Sequence, residues 1–301
     1  MVHVPWLDRP FPPRHPHRPR SPTLTVIAPP EARKVPLVEL LAAQFLSLDE
    51  LAASLAPREW YQRTALPGWA VIDVFAHLIG AELAVDGEEP PPATVDVSTF
   101  DHVLNQIGVL NERWIESMAD QTPEELLHRF RQVVAARLGA LAALSNDEWH
   151  AVVDSPIGPV PYWRFMQIRL FDAWMHEQDI RECLIRPGNE SGRLAEAAVE
   201  EVQRMLGYVV GKRAGAAPGS TVTFELVGPV YQTIHMAVDD RAEVVDHLDT
   251  TPTTTVRLSS SLLLRLSGGR LSMLPDRLGG LEFEGDLDLA RRIVAGLSFT
   301  V

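Results

Sequence analysis

Asp172 and His176, four residues apart in Phe171-Asp-Ala-Trp-Met-His-Glu-Gln-Asp179, carry the sharpest chemical signal in the chain. The surrounding residues have helical spacing, and on a helix the side chains at i and i+4 share a face with Cβ atoms roughly 5–6 Å apart. Both can therefore reach one ion. A third donor is required, and the best candidate is His77 in Trp69-Ala-Val-Ile-Asp-Val-Phe-Ala-His77-Leu-Ile-Gly-Ala-Glu82, on or near the apolar stripe of another helical segment. Three protein donors with one position open is the arrangement of a catalytic divalent metal rather than a structural one. Two imidazoles and a carboxylate suit zinc, although manganese, iron or nickel fit the same donors.

Taken singly, each residue has a plainer explanation. A lone histidine or aspartate on an apolar helix is more often a hydrogen-bonded core group than a ligand. The combination changes the balance, because all three sit among apolar residues where an unpaired charge would be costly. Asp73, four before His77, either orients the second ring nitrogen of that histidine or supplies early-helix negative charge. Asp179 and Arg181 read as a structural pair or as solvated groups, and Glu177 is expected to face solvent. Trp69, Trp163 and Trp174 are expected in the core near the motif, where they could also wall a pocket. Cys183 has no base nearby in sequence and reads as a small buried residue rather than a nucleophile.

The elements that must position these residues follow from periodicity. Residues 1–33 are rich in proline and lack any apolar period, as expected of a solvated, disordered tail. Leu37, Leu40, Leu41, Phe45, Leu48, Leu51 and Leu55 mark a first helix, and Val71, Val74, Phe75, Leu78 and Ile79 a second that ends near Gly87. A third is predicted over 99–120. Thr122-Pro-Glu-Glu125 then reads as cap, first-turn proline and acidic first turn of a helix reaching Leu144. After a turn-rich loop at 154–161, a helix over 163–183 carries Asp172 and His176.

Residues 34–188 are thus expected to form a bundle of four to five helices, a scaffold that builds metal sites from inward-facing side chains. From 189 to 301 the pattern changes to a smaller α+β domain. A helix over 193–212 and a small, flexible stretch over 211–219 precede alternating strands at 222–227 and 232–238, joined at Gly228-Pro229. A third strand at 254–258, a short helix at 260–266, a strand near 281–283 and a closing helix over 288–297 complete an expected antiparallel sheet with helices. Here Leu266-Ser-Gly-Gly-Arg270 holds an arginine in a glycine turn, a geometry able to grip a carboxylate.

Composition excludes several function classes. The formal charge of −13 argues against nucleic acid or an anionic membrane as partner. One cysteine among 301 residues rules out an internal disulfide and a cysteine-cluster zinc site, and fits a reducing, cytoplasmic setting. Apolar runs are too short to span a bilayer, and no glycine-rich phosphate loop, dinucleotide fingerprint or serine nucleophile elbow stands in a suitable context.

Pro67-Gly-Trp-Ala-Val-Ile-Asp-Val-Phe-Ala-His77, Ser155-Pro-Ile-Gly-Pro159 and Arg169-Leu-Phe-Asp-Ala-Trp-Met-His-Glu-Gln-Asp-Ile-Arg181 together resemble the mycothiol-dependent maleylpyruvate isomerase family. Its N-terminal bundle is similar to the DinB-like metal-binding fold. The half containing Gly268-Gly-Arg270 and Glu284-Gly-Asp286 is similar to its sterol-carrier-like C-terminal domain. The resemblance implies a zinc held by His77, Asp172 and His176, with Asp172 one methylene shorter than the glutamate common at that place. It further implies mycothiol as thiol cofactor, a metal-activated thiolate adding to a small electrophilic substrate, and a role for Arg270 in holding an anionic group. The leading expectation is an isomerase or S-transferase. The alternatives are a non-catalytic protein that binds metal and a small ligand, and a purely structural bundle.

Overall fold

The computed structural model describes residues 33–271 and 280–299, so the expected tail, Arg33 apart, lies outside the described residues. Helix α1 (Lys34–Ala53) buries Leu37, Leu41, Phe45, Leu48 and Leu51 on one stripe. Helix α2 (Val71–Val85) is buried over most of its circumference, from Val71 to Leu83. Helix α4 (Pro123–Ala143) begins as expected: Thr122 caps Glu125 N–H, while the Glu125 carboxylate accepts from Thr122 N–H at 2.8 Å. With α6 (Tyr162–Cys183) these helices pack around Phe45, Phe75, Phe130 and Trp149.

The third predicted helix is shorter than 99–120. Helix α3 is Gln106–Glu116, because the Asn105 carboxamide accepts from Gly108 N–H at 2.9 Å and sets the start there. It lies tightly on α2: a Cβ placed on Gly80 would be 2.4 Å from Cγ of Trp114. Gly80→Ala is therefore expected to destabilise the protein by about 1–3 kcal/mol, since the buried indole must shift to admit the methyl. A denaturation curve showing unchanged stability would contradict this packing. A short helix α5 (Asn146–His150) and a small hairpin, β1 (Val152–Val153) with β2 (Val160–Pro161), lead into α6.

Beyond α6, α7 (Arg193–Tyr208) continues through a π-helical turn, Val209–Arg213. That turn takes up the first three residues of the stretch predicted to be small and flexible over 211–219, because Val209 and Val210 are fully buried and anchor it. The sheet has the order β5-β4-β3-β6-β7, comprising β3 (Thr221–Leu226), β4 (Gln232–Val238), β5 (Ala242–Val245), β6 (Thr254–Leu258) and β7 (Glu282–Gly285). Strand β5 is an addition to the sequence reading. The all-antiparallel expectation is also corrected: three ladders are antiparallel, but β3 pairs with β6 in parallel, Phe224 opposite Val256. After β5 the chain crosses to the far side of β3 instead of forming another hairpin, and that crossing reverses the direction of pairing. Helices α8 (Ser260–Ser267) and α9 (Leu287–Ala295) complete this core with α7.

Helix α6 belongs to both cores. Met166, Leu170, Ala173 and Ile180 pack in the bundle, whereas Phe171, Trp174 and Met175 pack with the sheet. A helix apolar on opposite sides must be buried on both. A forked Arg164–Glu201 contact at 2.8 and 2.6 Å joins α6 to α7, and Ser261 of the helix Ser260–Ser267 donates to Glu190, in the loop between α6 and α7, at 2.8 Å. The strip of α6 between the two cores carries Asp172, His176 and Asp179.

Candidate metal centre

The structure brings His77 of α2 together with Asp172 and His176 of α6. One donor atom from each lies within 4.8 Å of the other two. Nε2 of His77 is 3.5 Å from Oδ2 of Asp172, and Nε2 of His176 is 3.5 Å from Oδ1. Those separations are long for hydrogen bonds, and among the described residues the buried Nε2 of His77 has no hydrogen-bond partner. A buried imidazole nitrogen left unpaired beside a carboxylate and a second imidazole fits a cation that would satisfy all three.

The surroundings hold the donors in place. Asp179 Oδ2 lies 3.1 Å from Nδ1 of His176, which turns Nε2 toward Asp172. Arg270 reaches across from the sheet side and donates to both oxygens of Asp179, at 3.0 and 2.7 Å, and to the Gly268 carbonyl at 2.6 Å. Arg169 donates to Asp172 Oδ2 at 2.7 Å and, from Nε and Nη2, to Glu82 Oε1 at 3.0 and 2.9 Å. Glu82 also accepts from Arg137 at 3.0 Å, and Arg137 pairs onward with Asp86 at 2.7 Å.

Charge follows from this packing. Burial pushes Asp172 upward, but Arg169 and His176 overcome it and hold the carboxyl well below its ordinary value. Burial lowers His77, and its contacts with Asp172 do not restore it, so that ring stays neutral and available as a donor. Burial also works against protonated His176, yet Asp172 and Asp179 outweigh it and raise this imidazole.

Trp69 walls the site. Its ring centroid lies 5.1 Å from that of His77 and 6.0 Å from that of His176. Its indole N–H donates to Glu112 at 2.6 Å, and the same oxygen lies 2.8 Å from Nε2 of His102. Neither Glu112 nor His102 carried a signal in sequence, because α3 and the loop before it are remote from both motifs. Arg169 was readable, being three before Asp172 on one helix.

Other expectations resolve differently. Asp73 accepts from Ala70 N–H at 2.8 Å and serves the start of α2. Glu177 is fully buried rather than solvated, held by Gln44, Ser47, Arg181 and Asn189 at 2.6–2.8 Å. Arg181 thus pairs with Glu177 and not with Asp179. Cys183 is half-buried, and burial, with Asp179 and Glu182 nearby, pushes its thiol up to about 11. At pH 8 about a thousandth of it is thiolate, so alkylation of the folded protein should be slow and should quicken roughly tenfold per pH unit toward 11. Labelling as fast as in the unfolded chain would contradict this.

Together these elements define a class: a helical bundle with a candidate metal centre at its contact with an α+β unit, which sends one arginine to the site. The description "Mycothiol maleylpyruvate isomerase N-terminal domain" matches residues 41–181, and "MDMPI C-terminal domain" matches 196–292. The chain belongs to the mycothiol-dependent maleylpyruvate isomerase family. Among solved structures it is similar to the mycothiol-dependent maleylpyruvate isomerase, with 17% identity, a TM-score of 0.54 and coverage of 84% of this chain and 93% of that one. A mutant of that isomerase matches with the same figures, and at such identity the likeness is one of fold. Comparison with curated proteins finds no match. Among the described residues no helix is long and apolar enough to cross a membrane.

Proposed function

We propose that this protein is a metal- and mycothiol-dependent enzyme of the isomerase or S-transferase kind, acting on a small electrophile. The observation that carries the proposal is the convergence of His77, Asp172 and His176, with a buried imidazole nitrogen that has no partner among the described residues. These three residues would hold a divalent ion, with zinc favoured by the donors. When bound, such an ion supplies Lewis acidity that lowers the pKa of a coordinated thiol.

The remaining work falls to the chain's own groups. Asp179 fixes the ring of His176, and Arg270 fixes Asp179. Three of the five N–H groups of Arg270 are engaged in these contacts, and the other two, without a partner among the described residues, would be open to an anionic substrate or thiol. Trp69 packs beside both imidazoles and would shield them from water. The two histidines are nearly buried while the Asp172 side chain is 30% exposed, so ligands would approach from the Asp172 side.

The test is turnover by the metal-loaded protein given mycothiol and a panel of electrophiles that includes maleylpyruvate. Consumption of thiol or isomerisation of a panel member is expected. Inertness across the panel, with metal bound, would favour a non-catalytic binding protein.

A further inference from the structure

The hydrogen bonds to the outer sides of the donor residues run in opposite directions. Asp179 accepts at Nδ1 of His176, which makes that imidazole a better electron donor. Arg169 does the reverse. It donates to Asp172 Oδ2 at 2.7 Å, and a cation placed there draws charge out of the carboxylate. Arg169 is buried and cannot lose its proton, so the positive charge is permanent.

A fixed cation beside a divalent metal site opposes metal binding, since like charges repel. Its own neutralisation comes from Glu82, on the side away from Asp172, at 2.9 and 3.0 Å. Glu82 is in turn held by Arg137, and Arg137 by Asp86. Charges alternate outward from the site, from Asp172 to Arg169, Glu82, Arg137 and Asp86. The chain of pairs thus places a positive charge on the carboxylate donor without leaving it uncompensated.

We infer that Arg169 is a positioning residue that weakens Asp172 as a donor, trading metal affinity for a more electrophilic ion. The inference presupposes the metal centre proposed above. Its consequence is that removing Arg169 tightens metal binding, whereas an arginine that merely supports the fold would loosen it.

The experiment measures Zn2+ affinity by competition with a chromophoric chelator, on the full chain. Co2+ absorption serves to check that the ligand set is unchanged. In Arg169→Gln, affinity should rise about tenfold, the scale on which outer contacts act on metal ligands. Because Arg169→Gln leaves Glu82 short of a partner and can fail to fold, Glu82→Gln/Arg169→Gln is the second variant. It replaces the buried ion pair by a neutral amide pair, and its affinity should also rise. Glu82→Gln alone frees the full charge of Arg169 and should bind zinc less tightly than wild type. This reversal of sign between single and double variants is not expected of a structural role. Equal or weaker zinc binding by the double variant would overturn the inference while leaving the metal centre intact. A wild-type protein that binds no zinc would overturn both.

Discussion

His77→Ala should leave a folded protein that no longer retains zinc. The imidazole it removes comes from α2, whereas Asp172 and His176 share α6, so the variant keeps a two-donor fragment of the centre. Loss of an outer contact already costs about 10–100-fold in metal affinity, and loss of a donor should cost at least about 100-fold. The metal-free fold should suffer less. Nε2 of His77 is buried without a hydrogen bond among the described residues, so the variant removes an unpaired polar group along with the packing of the ring. Metal-free wild type and variant are therefore expected to melt close together, and added zinc should protect the wild type alone. At a free zinc concentration 100 times the dissociation constant, that protection amounts to about 2.7 kcal/mol. Elemental analysis supplies the second readout. One zinc per chain in His77→Ala would remove this residue from the centre and the proposed chemistry with it.

Glu82→Gln should have the largest effect on stability. Glu82 is 2% exposed and stands between Arg137 and Arg169, each itself buried. The substitution keeps the shape but removes the carboxylate that two guanidinium groups share, leaving Arg169 only Asp172 and Arg137 only the exposed Asp86. Breaking a buried pair from one side typically costs about 3–5 kcal/mol. With a melting shift of about 2–4 °C per kcal/mol at this size, a fall of roughly 6–20 °C is expected in a thermal scan. The exposed pair Arg131–Asp49 is the control: Asp49→Ala should cost less than about 1 kcal/mol, since solvent screens that contact. If both substitutions shifted the melting temperature equally, the buried network would contribute no more to stability than the exposed pair.

Much of the fold was legible because its signals are local. The Thr122–Glu125 capping box, the stripe from Leu37 to Leu51 and the alternation along Gln232–Val238 each depend on neighbours within a few residues. The misses share a cause. Strand β5 is four residues long with a half-exposed pattern, and the parallel pairing of β3 with β6 depends on where the chain crosses, which no local period encodes. Glu177 was expected in water because a lone glutamate in sequence has no visible partner. Its partners come from α1, from the next turn of its own helix and from the loop after it.

The sequence by itself determined that Asp172 and His176 share a helical face, and that Arg169 lies one turn before them, since 3.6 residues per turn is a property of the backbone. It also marked His77 as an imidazole on an apolar helix. Only the tertiary structure decided that this imidazole faces the pair, that Arg270 reaches Asp179 across 91 residues of chain, and that Arg169 finds Glu82 across 87. The reason is energetic: a buried charge is tolerated only when a partner arrives from another element, and that arrival is settled by how the helices and the sheet pack.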